Sequence, residues 1–259
     1  MEGSDERRRE KAERFDRLRY FNGFMALLHL TQGVLMWVLS SDFSLPVTTT
    51  YLRFDAQTGN LVQNLQQAWQ LRVGPMVAVF LFISALAHFS LATFGFEWYV
   101  DKLKKSVNPV RWFEYALSSS LMIVIIAMLA GMYDLSSLIL IFALNATMIL
   151  FGWVTEVFNE PGGEVNWLPF NCGCLAGIVP WITIGLYLYG AGSVPNFVYG
   201  IFGSIFLFFN IFTLNMFLQY KGWGGWEDYV YGERVYILLS LFAKSALAWQ
   251  VFAGTLRPM

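Results

Sequence analysis

The sequence predicts an all-α membrane protein, a seven-transmembrane-helix bundle, and three observations carry that prediction. Of 259 residues, 56% are apolar and 18% aromatic, and only 14% are charged, against about 25% in an ordinary soluble domain. The charges crowd at one end: residues 1–19 hold Arg7, Arg8, Arg9, Lys11, Arg14, Arg17 and Arg19 with six acidic residues, which leaves 22 charges for the other 240 residues. Apolar runs of about 20 residues, the length that crosses a hydrocarbon core, then recur along the chain. This composition argues against a secreted enzyme, a disordered regulator and any nucleic-acid-binding domain.

The spans fall near 20–41, 73–95, 109–132, 136–158, 170–190, 198–219 and 232–254. Residues 1–19 form a charged N-terminal segment. It leads straight into the first span without the short apolar stretch and small-residue cleavage site of a leader, so it is expected to stay attached as a signal anchor. Residues 20–259 then make one seven-helix domain. Between spans one and two, residues 42–72 are polar, with the β-favouring stretch VTTTYLRF followed by a turn-like DAQTGN, which predicts a small β-hairpin outside the bilayer. Asn108 as N-cap and Pro109 at the first helical position mark the start of span three, and Pro169 and Pro195 sit at or near the starts of spans five and six. Cys172 and Cys174 are too close for an unstrained disulfide and read as small apolar residues.

Orientation follows from lysine and arginine, which concentrate on cytoplasmic flanks, whereas acidic residues count for little. The N-terminal segment holds seven of them. With that end inside, Lys102, Lys104 and Lys105 between spans two and three and Lys221 between six and seven also fall inside. Arg53 and Arg72 remain outside, with Arg257 at the C-terminus. Seven spans then place the C-terminus outside. The expected setting is the cell membrane, multi-pass, with a cytoplasmic N-terminus and the lipid bilayer as partner.

Two ionisable side chains lie well inside spans: Glu114 in span three and Lys244 almost midway along span seven. A charge near the bilayer centre is costly unless paired or solvated, which makes such residues functional candidates. Two readings are open. One is a buried ion pair that fixes helix packing. The other is a desolvated lysine whose amine forms a Schiff base with a carbonyl compound, balanced by the Glu114 carboxylate. Residues three or four apart share a helix face, so Ser240, four before Lys244, and Ser118, four after Glu114, stand beside the pair. Each hydroxyl either serves the charge or bonds back to its own helix.

The histidines form a second group. His29 lies about 13 Å into span one and His88 about 12 Å from the inner end of span two, at about 1.5 Å per residue, in the same inner half as Glu114. Asn22, His29 and Gln32 share one stripe of span one, and Ser84 and His88 are four apart on span two. This predicts a polar, hydrated pocket on the cytoplasmic side of the lysine, in which a histidine either accepts a proton or is a satisfied core residue. No Cys/His group has metal-ligand spacing. Around Lys244, the side chains of Tyr115, Met122, Met148, Trp181, Phe206, Phe209 and Trp249 are ordinary packing one by one and together suit a long conjugated apolar ligand. Glu156, near the inner end of span four, reads as an interfacial acid.

From span one onward the chain resembles the heliorhodopsins, inverted-topology relatives of the microbial type-1 rhodopsins. The stretches that carry the resemblance are RWFEYALSSSLMIV at 111–124, NATMILFGW at 145–153, GIVPWI at 177–182 and ERVYILLSLFAKSALAWQ at 233–250. The resemblance implies all-trans retinal bound to Lys244 as a protonated Schiff base, Glu114 as its counterion, and Ser240 and Ser118 adjusting the pair. It maps a cytoplasmic-side pocket onto Asn22, His29, Gln32, Ser84 and His88. Trp181 and Phe209 would wall the polyene, with Asn145 and Met148 from span four. Arg111, one turn before Glu114, either closes the inner end or is a basic interfacial anchor. The resemblance also implies a homodimer, and small residues on spans four and five permit close helix contact.

The implied activity is light sensing by isomerisation of retinal from all-trans to 13-cis, with loss of the Schiff-base proton, slow thermal recovery and no sustained ion pumping; it is not an enzyme. Proton pumps of the related class resemble this chain but typically add a carboxylate four residues before the lysine and another further along span three. Here those places hold Ser240 and apolar residues such as Ile125 and Ile126. The alternative is a transporter or channel, light-driven or not, that uses Glu114 and Lys244 as a translocation pair. A third reading is a light-regulated adaptor whose charged N-terminal segment and inner loops meet an unidentified cytoplasmic signalling partner.

Overall fold

Each of the seven apolar runs becomes a helix in the structure, a computed structural model that describes residues 2–159 and 163–257, with side chains from residue 13 onward. The side chains of Arg7, Arg8, Arg9 and Lys11, counted above for orientation, lie outside the described residues. Helix α1 spans Glu2–Leu39, so the charged segment and the first span form one helix without a break at residue 19. It is followed by strands β1 (Ser44–Asp55) and β2 (Asn60–Arg72), and by α2 (Val73–Ala92), a short α3 (Phe96–Lys104), α4 (Pro109–Leu129), α5 (Leu135–Phe158), α6 (Leu168–Gly190), α7 (Asn196–Lys221) and α8 (Tyr229–Val251). A single 3-10 turn, Gly224–Glu227, precedes α8, and a π turn, Phe252–Leu256, extends it. Seven helices, all but α3, are long and apolar enough to cross a membrane.

The ends of the helices are set by local chemistry. Asn108 Oδ1 accepts the backbone N–H of Arg111 with Pro109 at the first position of α4, Asp134 Oδ2 accepts that of Ser137 to start α5, and Asp228 Oδ1 accepts that of Val230 to start α8. These bonds satisfy N–H groups that a helix start leaves without partners. Helix α7 stops at Gly222, whose φ of 60° is the left-handed conformation glycine adopts without steric cost.

Strands β1 and β2 pair antiparallel from Ser44↔Arg72 to Asp55↔Asn60, with a bulge between Val47 and Thr48. The ribbon is longer than the β-favouring stretch alone suggested. Its base is fixed to the bundle: Leu45 and Val47 are buried, and the Thr48 N–H donates to the Tyr133 carbonyl at 2.9 Å in the α4–α5 turn. At the tip Asp55 accepts the Gln57 backbone N–H at 3.0 Å and the Thr58 hydroxyl at 2.8 Å, which holds the Asp55 carboxyl below its ordinary range.

Helix α4 is the axis of the bundle. It contacts α2, α5, α6 and α7 and is the most enclosed of the spans, whereas α5, α6 and α7 turn apolar side chains such as Leu140, Leu175, Leu186 and Leu207 outward. In a bilayer such outward leucines are solvated by lipid, so helix association rests on close packing and interhelical hydrogen bonds. The sequence did not foretell α3. It occupies the connection that carries Lys102, Lys104 and Lys105, and buries Tyr99 and Leu103 against the bundle.

Candidate functional site

Midway along α8, Lys244 meets α4. Its Nζ donates to Glu114 Oε1 at 2.9 Å and Oε2 at 3.3 Å, and to Ser240 Oγ at 2.7 Å. The two side chains are 4% and 6% exposed, so the pair is shut away from solvent. The ammonium also lies 4.9 Å from the centroid of the Tyr115 ring, close enough for cation–π attraction. A further donor comes from α2: the Ser84 hydroxyl reaches Glu114 Oε1 at 2.6 Å. Ser118, expected to serve this charge, is buried with no hydrogen-bond partner for its hydroxyl among the described residues. The serine beside the carboxylate is therefore Ser84, which the sequence had grouped with the histidines.

From this pair a cavity of about 170 Å³ runs between α4, α5, α6, α7 and α8. Lys244, Ser240, Tyr115, Met122, Met148, Trp181, Phe206 and Phe209 all line it. Trp181 is held by edge contacts to Phe202, Phe206 and Phe209 at centroid distances of 5.5, 5.3 and 5.3 Å. Gly177 keeps one side open, because a Cβ there would collide with the Met148 sulfur. Two residues grouped with this site lie elsewhere. Asn145 donates to the Ser119 and Ser120 hydroxyls at 2.9 and 3.0 Å and so ties α5 to α4. Trp249 donates to Gln32 Oε1 at 3.1 Å on an exposed face.

A smaller cavity of about 20 Å³, room for one water, lies on the α3 side of Glu114 and is lined by Asn22, His88, Arg111, Glu114, Tyr115 and Glu233 among others. Asn22 Oδ1 is 2.7 Å from His88 Nδ1, and the His29 and His88 rings stack at 5.6 Å with 4° between planes. Both ring nitrogens of His29 are buried without a partner among the described residues. Gln32 is not part of this group; its bond to Trp249 turns it away.

Arg111 is neither an interfacial anchor nor alone. Its guanidinium pairs with Glu156 on α5 and Glu233 on α8, and all three side chains are 2–3% exposed. Glu156 also accepts the Asn108 backbone N–H at 3.0 Å, the Trp112 indole N–H at 2.6 Å and the Tyr229 hydroxyl at 2.8 Å, so it is no interfacial acid. Glu233 accepts the Asn108 side-chain amide at 2.7 Å and the Tyr99 hydroxyl at 2.8 Å, and burial, helped by this carboxylate, holds the Tyr99 phenol protonated well above its ordinary range. Glu233, Tyr99, Trp112 and Tyr229 were not singled out from the sequence. One signal was present for Glu233: it lies eleven residues before Lys244, three helical turns along the same face.

A cation and a carboxylate enclosed at the end of an apolar cavity can hold a charged imine on the lysine and accommodate a long conjugated chain beside it. In the comparisons with known proteins, the family model described as Heliorhodopsin matches residues 18–256, nearly the whole chain. No curated protein matches it.

Proposed function

The chain belongs to the heliorhodopsin family, a family of retinal-binding photoreceptors of rhodopsin type, and from that premise we propose that it is a membrane light sensor in which Lys244 carries all-trans retinal as a protonated Schiff base with Glu114 as counterion. The observation that carries this reading is the Lys244–Glu114 pair, 2.9 Å apart and walled off from solvent at the end of the aromatic cavity. When bound, the chromophore supplies light absorption and isomerisation from all-trans to 13-cis, with slow thermal return. The protein's share is electrostatic. Glu114 faces the cation, Ser240 accepts from it, and Ser84 donates to the carboxylate, which together fix where the charge sits in the dark.

Sustained ion transport is not part of this function. Beyond Glu114 toward the hairpin, the buried face of α4 carries the hydroxyls of Ser118, Ser119 and Ser120 and then Met122, Ile123, Ile125 and Ile126, with no carboxylate on it to relay a proton. A proton pump of the related class needs such a relay. The cytoplasmic side is the end that holds α3, because Lys102, Lys104, Lys105, Lys221 and the basic N-terminal segment gather there.

The test is the visible absorption spectrum of protein expressed with all-trans retinal, wild type beside Lys244→Ala. A visible band in the first and none in the second is the expected result. No band in either returns the pair to a packing ion pair, and light-driven acidification or alkalinisation of a cell suspension overturns the sensor reading in favour of transport.

A further inference from the structure

Two aromatic side chains belong to two sites at once. Trp112 and Tyr236 both line the large cavity, and both also enclose the buried charges on its α3 side. The Arg111 guanidinium lies 4.6 Å from the Trp112 ring and 4.0 Å from the Tyr236 ring, while Trp112 and Tyr236 meet edge to face at 5.8 Å. Trp112 has the stronger link, since its indole N–H donates directly to Glu156 Oε2 at 2.6 Å. The indole lies against α5 at Gly152, where a Cβ would be 2.7 Å from Trp112 Cη2, so the ring has no room to retreat in that direction.

The cluster it touches is poised to respond. One guanidinium faces two carboxylates, an excess of one buried negative charge, held by donors from α3 (Tyr99), α4 (Asn108, Trp112) and α8 (Tyr229). Losing one donor to a buried carboxylate in such a network is costly, because the desolvation of a carboxylate only 2% exposed is then less fully offset. The remaining bonds therefore rearrange when Trp112 shifts.

We propose that Trp112 is a positioning residue that couples the cavity to this cluster: a change in the shape of the cavity's occupant displaces the indole, alters its bond to Glu156, and so changes how α3, α4, α5 and α8 are held together at the end of the bundle away from the hairpin. The proposal deepens the light-sensor reading and rests on it. It gives that sensor an output, a buried charge cluster whose hydrogen bonding differs between dark and light.

The experiment is light-minus-dark infrared difference spectroscopy of the retinal-loaded protein with isotope-labelled glutamate, the Glu156 part being the band absent from Glu156→Gln. In wild type a Glu156 carboxylate band is expected, and in Trp112→Phe, which keeps a ring in the wall but has no N–H, that band is lost when spectra are compared at equal chromophore content. A Glu156 band unchanged in Trp112→Phe, or absent from wild type, overturns the proposal. A ring that only packs would lower thermal stability in Trp112→Phe and leave the band in place. Gly152→Ala decides independently of whether Trp112→Phe binds chromophore. Its methyl group pushes the indole toward the cavity, so the visible maximum and the Glu156 band must move together, and movement of one alone overturns the coupling. Absence of any visible band in wild type is a failure of the sensor reading; a normal band with an unresponsive Glu156 is a failure of this proposal only.

Discussion

Replacing Arg111 by methionine should strongly destabilise the protein. Arg111 is the cation between Glu156 and Glu233. Each carboxylate keeps other donors in the variant: three for Glu156, and the Asn108 amide and Tyr99 hydroxyl for Glu233. The loss is therefore charge compensation rather than every hydrogen bond. Two charge-assisted bonds at about 1.5–3 kcal/mol each, and the usual about 3–5 kcal/mol for removing one partner from a buried ion pair, converge on about 4 kcal/mol. At about 2–4 °C per kcal/mol for a chain of this size, the thermal midpoint should fall by about 8–16 °C. The assay is loss of the visible band on heating the retinal-loaded protein in detergent. Arg111→Met combined with Glu156→Gln and Glu233→Gln removes the uncompensated charges and should recover most of the loss, because a neutral buried group costs less than an unpaired charge. A midpoint within about 2 °C of wild type for the single variant, or no recovery in the triple, would refute this account of the cluster.

Glu114→Gln should move the visible maximum to longer wavelength, since the negative charge facing Lys244 favours the ground-state charge distribution of the chromophore. Ser84→Ala should move it to shorter wavelength, because the 2.6 Å donor that spreads charge on Glu114 is gone; equal shifts in the same direction would contradict both assignments. Gly177→Val should weaken chromophore retention about tenfold, as its side chain drives Met148 into the cavity at an overpacking cost of about 1–3 kcal/mol; spectrophotometric titration of the ligand-free protein with retinal measures it. At the hairpin tip, the Asp55 carboxyl titrates below its unfolded value of about 3.9. Its contribution to the turn is therefore fully present above that pH and is lost as pH falls through the lower folded value. The protection of the Gln57 amide, its exchange rate relative to the intrinsic rate at the same pH, should fall over that acid range, and Asp55→Ala should abolish that fall.

The seven spans were legible because a membrane helix announces itself by length and apolarity, and the starts at Asn108–Pro109 carried their own capping chemistry. Helix α3 was not, since a nine-residue amphipathic segment with three nearby lysines has the composition of a loop. At the site, Lys244 and Glu114 stood out as charges in apolar runs, whereas the partners of that pair could not be ranked by spacing. A helical wheel of span three puts Ser118 beside Glu114 and says nothing of Ser84 on another span, and only the packing of α2 on α4 brings Ser84 into reach. The Arg111 cluster was hidden for a related reason. Glu156 and Glu233 lie near span ends, where acidic residues are normally hydrated, and their burial depends on α3 and Tyr229 closing over them.

The hairpin has a mechanical consequence. Its base is clamped to the α4–α5 turn at Thr48 while the strands beyond run free to Asp55, a lever of about 23 Å at about 3.3 Å per residue. A rotation of that turn by about 5°, too small to notice inside the bundle, sweeps the tip through about 2 Å on such an arm. On this geometry the tip is the part of the ribbon most displaced by any change in the setting of the α4–α5 turn, and a spin label at Thr58 would read it.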